Sequence, residues 1–260
     1  RQSDTNTSSS SVPTLDTSSS CYSFVRSIAL TYQCMVICGF PEKVVSSDGG
    51  DSNNEQQQVK YYNSAYVIDK HGTLLHVYRK HFLYTTDKAW SEPGDSFLSF
   101  DTVLGTGSNG SDAGDDRNNK IKLGVGICMD INPEDFIAPW SAFELANYHK
   151  KHKSKIIVLC CNWLASPESD DEDEDSEEEE DEEEKQVLNS QLYWLRRLSP
   201  LLTPQFQNCY FVCSNRIGAE KDIAFCGSSC VLALGDKPKR LLSFGRREEG
   251  IQIVKIPISE

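Results

Sequence analysis

Two periods alternate along this 260-residue chain. Phe24, Val25, Ile28, Ala29 and Tyr32 recur at three-, four- and seven-residue spacings, which predicts an amphipathic helix from Cys21 onward. "MVICGF" follows as a short buried strand closed by Gly39 and Pro41. "YYNSAYVID" and "TLLHVYR" read as two strands joined at "KHG", with Gly72 in a tight turn. Later apolar runs, "KLGVGIC", "KIIVLCCNW", "CYFVCSN", "SSCVLAL" and "GIQIVKI", predict five more strands. Helical periodicity returns in "FELANYHKKH", whose cationic end suits a helix C-terminus, and in "QLYWLRRLSPLL". Val45 to Gln58 and Asp101 to Asn119 are polar and read as loops, and the aromatic stretch from Lys80 to Phe97 reads as irregular. Strands outnumber helices, and many are apolar throughout. That pattern belongs to a sheet buried on both faces in a layered α/β protein.

Charge changes the picture at one place. Glu168 to Glu184, "ESDDEDEDSEEEEDEEE", carries 15 acidic groups in 17 positions, and without them a net charge of −13 becomes about +2. A run that repels itself predicts a solvated, disordered insert at 168–184, with a docking tail for a basic partner as the other reading. Residues 1–20, rich in Ser and Thr, predict a disordered segment, which leaves 21–260 as one domain. The chain opens on Arg1 rather than Met, so a fragment of a longer protein is expected. No apolar run approaches the roughly 20 residues of a membrane span, and no basic aromatic patch suggests nucleic acid. The ten cysteines show neither the C-x2-C pairs nor the His pair of a zinc ribbon. Most lie in strand-like runs, as small buried hydrophobes in a reducing, cytoplasmic compartment.

One cysteine stands apart. In "KLGVGICMDINPEDF" the strand ends on Cys128 and turns at once into a polar segment. A thiol there can project into a cleft, with the N–H of Met129 free to face a developing oxyanion. From spacing alone, another buried cysteine is the commoner outcome. No histidine lies in a papain- or caspase-like context. Lys80, at the end of "LLHVYRK", could reach the same cleft, although a solvated strand-end lysine is the ordinary reading.

"YNSAYVIDKHGTLLHVYRKHFLY", "GVGICMDINPEDF" and "SNRIGAEKDIAFCGSS", in that order, resemble the nitrilase (carbon–nitrogen hydrolase) superfamily from about Cys21 to Ile256. The resemblance implies a four-layer α-β-β-α sandwich and a Glu–Lys–Cys triad, with Lys80 and Cys128 on the lysine and cysteine positions. It implies attack by Cys128 on an amide carbon, oxyanion support from Lys80 and the Met129 N–H, a thioester, and no metal or organic cofactor. Asp130 is expected to anchor the turn rather than react. Glu92 in "WSEPGD" is expected to support the lysine, with an ordinary loop glutamate as the alternative, and Trp163 is expected to line the pocket or to serve packing alone.

The family's catalytic glutamate sits in an earlier "PE" strand end. "GFPEK" offers Glu42, but it follows what looks like the family's second helix–strand unit, so the base is expected upstream of Arg1, with Glu42 the lesser candidate. A chain lacking that unit is expected to be poorly soluble and inactive by itself. "CGFPEK", "YRKHFLYTTDKAW" and "YWLRRLSPLL" look most like the fungal protein N-terminal amidases, which implies deamidation of N-terminal Asn or Gln in an N-degron pathway, with protein or peptide N-termini as substrates. A small-molecule amidase of the ω-amidase or ureidopropionase type and an inactive scaffold are the alternatives. The resemblance also allows a homodimer.

Overall fold

The structure, a computed structural model, describes residues 19–47, 57–103, 120–165 and 176–258, with side chains for all of these except 46, 47, 57 and 176–181. The first helix, α1 (Ser20–Tyr32), starts where Ser19 accepts a 3.2 Å hydrogen bond from the Tyr22 N–H, and ends on Gln33 in the left-handed region. Its Val25 and Ala29 pack on Phe40, Tyr66 and Ile68 of a three-stranded antiparallel sheet formed by β1 (Val36–Ser47), β2 (Gln57–Ile68) and β3 (Leu74–Arg79). The β2–β3 turn puts Gly72 at φ 73°, a conformation that glycine adopts without steric penalty.

The second sheet has six strands in the order β11 (Lys239–Ser243), β10 (Cys230–Ala233), β7 (Tyr210–Asn215), β6 (Ile156–Cys161), β5 (Lys120–Ile127), β4 (Leu98–Val103). Its centre, β5–β6–β7, is parallel, and the crossovers are α2 (Glu144–His152) and α3 (Ser176–Arg197). A short hairpin, β8 (Ala219–Glu220) and β9 (Ile223–Ala224), stands outside it. Period-2 alternation gives this sheet two apolar faces. Leu123, Val125, Ile127 and Ile156 meet Ala65, Val67 and Tyr78 of the first sheet, while Ile157, Leu159 and Phe211 meet Leu145 and Trp194 of the helices and Leu198 just past α3. The result is the expected α-β-β-α layering.

Several local expectations change. The polar stretch from Val45 to Ser47 continues β1 against Gln57–Val59, because the hairpin register runs unbroken from Val36↔Ile68 to Ser47↔Gln57. Asp101 to Val103, read as loop, belongs to β4, and Lys239–Ser243, not singled out, forms β11. "GIQIVKI", read as a strand, is extended chain without a ladder, and Ile251 and Ile253 are 94% and 91% exposed. Its apolar alternation is that of a strand, but no described strand pairs with it. The acidic run, expected to be disordered, is helical backbone from Ser176 onward as the start of α3, and 168–175 lie outside the described residues, as do 1–18. Glutamate is a good helix former and suits a helix N-terminus, and the buried Val187, Gln191, Trp194 and Arg197 anchor the other half. Glu183 also pairs with Arg247 at 3.2 Å.

One core contact makes stability depend on pH. His149 of α2 is fully buried, with Nδ1 3.0 Å from Ser154 Oγ and Nε2 without a partner. Its ring lies so close to β5 that a Cβ on Gly124 would sit 2.2 Å from it. Burial pushes the His149 pKa down from 6.5 to about 3, with His152 adding to the effect. Between those values the unfolded chain holds the extra proton, so this contribution is complete above pH 6.5 and is lost as pH falls toward 3. Urea unfolding across that window is expected to show stability falling by up to about 1.4 kcal/mol per pH unit from this group, with the slope reduced in His149→Gln. An unchanged slope in the variant would contradict the assignment.

Candidate active site

β3 and β5 end side by side at the same end of the sandwich, and the two chemistry-bearing residues leave them there. Lys80, one residue past β3, is 3% exposed. Its Nζ lies 2.5 Å from Asp87 Oδ2, at the start of a 3-10 turn seven residues later. Asp87 is itself held by Asn63 Nδ2 at 3.1 Å and by the Tyr84 N–H at 3.0 Å. A buried ammonium requires such a partner, because an unpaired charge there would cost several kcal/mol. Sequence reading gave the supporting role to Glu92. The structure instead pairs Glu92 with Lys60 at 2.9 Å on the surface, and Asp87 takes its place. Glu92→Gln is therefore expected to leave the unfolding midpoint nearly unchanged, because exposed ion pairs add little. Thermal unfolding checks this, and a marked fall would mean that Glu92 does more than its surface pair.

Cys128 follows the last residue of β5 at φ 44°, a left-handed conformation that non-glycine residues avoid and that recurs at functional sites. The 3-10 turn Cys128–Ile131 then carries the chain away from the sheet. The thiol is half-buried. The neighbouring Cys161 thiol, and burial, push its pKa well above that of an ordinary cysteine, while the Lys80 charge and the Asn162 backbone pull the other way. The resting nucleophile candidate is therefore a neutral thiol that needs a base.

Asp130 joins the two halves. Its Oδ1 accepts from the N–H groups of His81 (3.2 Å) and Phe82 (2.8 Å), and its Oδ2 accepts from Tyr78 Oη (2.6 Å) and the Ile127 N–H (2.7 Å). One buried carboxylate thus grips the chain on both sides of Lys80 and just before Cys128. Burial raises its pKa, and the bonds from Tyr78, Phe82 and Ile127 together with the Lys80 charge oppose the rise.

Other carboxylates near the hairpin are occupied. Glu42, 3% exposed, forms a fork with Arg79 (2.8 and 2.7 Å) and accepts from Ser64 Oγ at 2.7 Å. Past the elbow, Asn132 accepts from Tyr193 Oη at 2.6 Å. Trp163 stands at 5.5 Å between ring centroids from Tyr193, which also meets Trp140 at 5.4 Å, so an aromatic wall flanks the turn after Cys128. Asn215 Oδ1 fixes the Trp163 N–H at 2.8 Å. Arg197, fully buried, donates to the carbonyls of Ile131 and Trp140 and pairs with Glu144 at 3.0 Å, holding the loop after the elbow. Asp87, Tyr193 and Arg197 were not singled out in sequence. A buried-face arginine in "WLRRL" is the one signal that could have raised the last.

Among the described residues no group of His, Cys, Asp and Glu could hold a metal ion. The arrangement combines a thiol on a left-handed elbow with a buried ammonium, which is the equipment of acyl transfer through a covalent intermediate.

Residues 7–139 match the family described as carbon-nitrogen hydrolase, and the chain belongs to that family. Within it, the chain is 34% identical over 229 residues to the protein N-terminal amidase of Schizosaccharomyces pombe, covering 81% of this chain and 66% of that relative. It is 30% identical over 148 residues to the protein N-terminal amidase of Saccharomyces cerevisiae, covering 56% of this chain and 30% of the relative. The chain therefore spans at most 66% of the length of these curated relatives. A crystal structure of N-terminal amidase with an Asn-Glu-Ala peptide superposes with a TM-score of 0.64 at 18% identity, covering 90% of this chain and 80% of that one, so the fold is shared.

Proposed function

We propose that this protein hydrolyses the side-chain amide of an N-terminal asparagine or glutamine, leaving aspartate or glutamate. The observation that carries the reading is the pairing of Cys128, on its left-handed elbow, with the Asp87-held Lys80 through Asp130. The S. pombe relative's name supports the choice of substrate.

In the reading, a base takes the Cys128 proton and the sulfur attacks the amide carbon. Lys80 and the Met129 N–H stabilise the oxyanion, the C–N bond breaks, and the proton leaves with ammonia. Water, deprotonated by the same base, then opens the thioester and restores the thiol. Glu42, Asp87 and Asp130 are each engaged by two or more donors, which supports a base from outside the described residues. Trp163 and Tyr193 form one wall of the substrate pocket. All ten cysteines are free thiols, which suits a reducing, cytoplasmic setting.

The test uses the full-length protein with peptides beginning Asn, Gln and Ala-Asn, and follows ammonia. Release from the first two alone is expected. Equal release from Ala-Asn peptides or from free small amides would replace this reading with a small-molecule amidase.

A further inference from the structure

The nucleophile's neighbours include an unusual number of sulfurs. Cys161, Cys213, Cys226 and Cys230 all lie in the core between the six-stranded sheet and its helices, and Cys128 packs against that core. The parallel register pairs Ile127 with Cys160, so the next residues of the two adjacent chains are Cys128 and Cys161. Neighbouring strands run about 4.8 Å apart, within the span a disulfide bridges. Cys161 belongs to the core on the helix side of the sheet, and Cys128 packs against that core as well as against the core between the two sheets, whereas Cys160 neighbours Cys38 of the first sheet. Each thiol perturbs the titration of the other. Nothing in the amide chemistry uses Cys161.

We infer that Cys161 is a resolving thiol for Cys128, so that hydroperoxides convert the pair to a reversible disulfide and spare the nucleophile from irreversible oxidation. The base that activates Cys128 takes its proton, the sulfur attacks a peroxide oxygen, the O–O bond breaks, and a sulfenic acid forms as hydroxide leaves and takes up that proton to become water. The Cys161 sulfur then displaces the sulfenic hydroxyl, which departs with the Cys161 proton as a second water. Two thiols lose two electrons and one peroxide gains them. Cys128 is the half-buried partner and meets peroxide first, while the buried Cys161 is shielded until the sulfenic acid is in place. The inference shares with the proposed function only the need for a reactive Cys128, and its readout is a mass rather than turnover.

The experiment treats the full-length protein with hydrogen peroxide, blocks remaining thiols, and maps tryptic peptides by fragmentation mass spectrometry. Cleavage after Lys122 and Lys155 places Cys128 and Cys161 on different peptides. The expected product is a Cys128–Cys161 link, reversed by dithiothreitol. In Cys161→Ala the link is lost and Cys128 passes to sulfinic acid that dithiothreitol does not reverse. Cys213→Ala, a second buried variant of the same core, keeps the link and so separates loss of the partner thiol from loosened packing. A link to any other cysteine, sulfinic acid on wild-type Cys128, an unmodified Cys128, or an equal loss of the link in Cys213→Ala would each overturn the inference.

Discussion

Asp130→Asn is expected to lower kcat by about 100-fold with little change in KM, the scale on which misplacing a reacting group by about 1 Å is felt. The four groups on this carboxylate are all donors, and three of them, the His81, Phe82 and Ile127 N–H groups, cannot turn round to accept. Whichever way an amide is placed, its NH2 faces at least one backbone N–H. Lys80 then loses its fixed distance from Cys128. A purely structural role would lower the amount of folded protein and leave the kcat of the folded fraction intact. Alkylation of Cys128 by iodoacetamide separates the two, since the elbow thiol should change its rate of reaction in a variant that stays folded. Tyr78→Phe, which removes only the 2.6 Å bond to Oδ2, should fall between wild type and Asp130→Asn. A kcat within about twofold of wild type in Asp130→Asn would show that the carboxylate does not set the site.

Asp87→Asn is expected to affect both stability and rate. It leaves the Lys80 ammonium, 3% exposed, without the carboxylate it is hydrogen-bonded to, and with only the Asp130 charge nearby. Removing one partner of a buried pair costs about 3–5 kcal/mol. Because the ammonium is the cation that faces the developing oxyanion in this account, kcat/KM should fall by about 100- to 1,000-fold. The double variant Asp87→Asn with Lys80→Met removes the stranded charge as well. It should regain part of the lost stability while remaining inactive. A double variant less stable than Asp87→Asn alone would mean that the pair is not the structural unit described here.

The contrast between Asp87 and Glu92 shows how far a sequence carries this site. Lys80 and Cys128 could be singled out because each closes a strand whose period and turn are local features, and because their surroundings resemble a family. Both acids lie in one irregular aromatic loop, and each could have faced the lysine. What decides between them is the 3-10 turn at Asp87–Ala89, which folds Asp87 back under Lys80 while the Glu92 N–H bonds to the Tyr61 carbonyl at the surface edge. No spacing rule encodes that choice. Arg197 and Tyr193 reach the elbow from 57 to 66 residues away, and Cys161 reaches it through strand register; all three are consequences of the packed sheet. The layered α/β class was readable because buried strands are apolar on both faces, whereas the four-layer order was what the resemblance implied. The absence of a strand at 250–256 was not readable, since Ile251 and Ile253 alternate like a strand that has a partner, while the chain is held instead by Ile256 and Ile258 on the core and by Tyr210 Oη on the Pro257 carbonyl.

The central claim is that Cys128 forms the covalent bond to substrate. The most direct measurement is to quench the full-length protein with acid during turnover of an Asn-starting peptide and locate any acyl adduct by mass spectrometry. The account predicts a thioester on Cys128, carrying the peptide mass less ammonia, and none in Cys128→Ala. An adduct on another residue, or turnover that persists in Cys128→Ala, would contradict it.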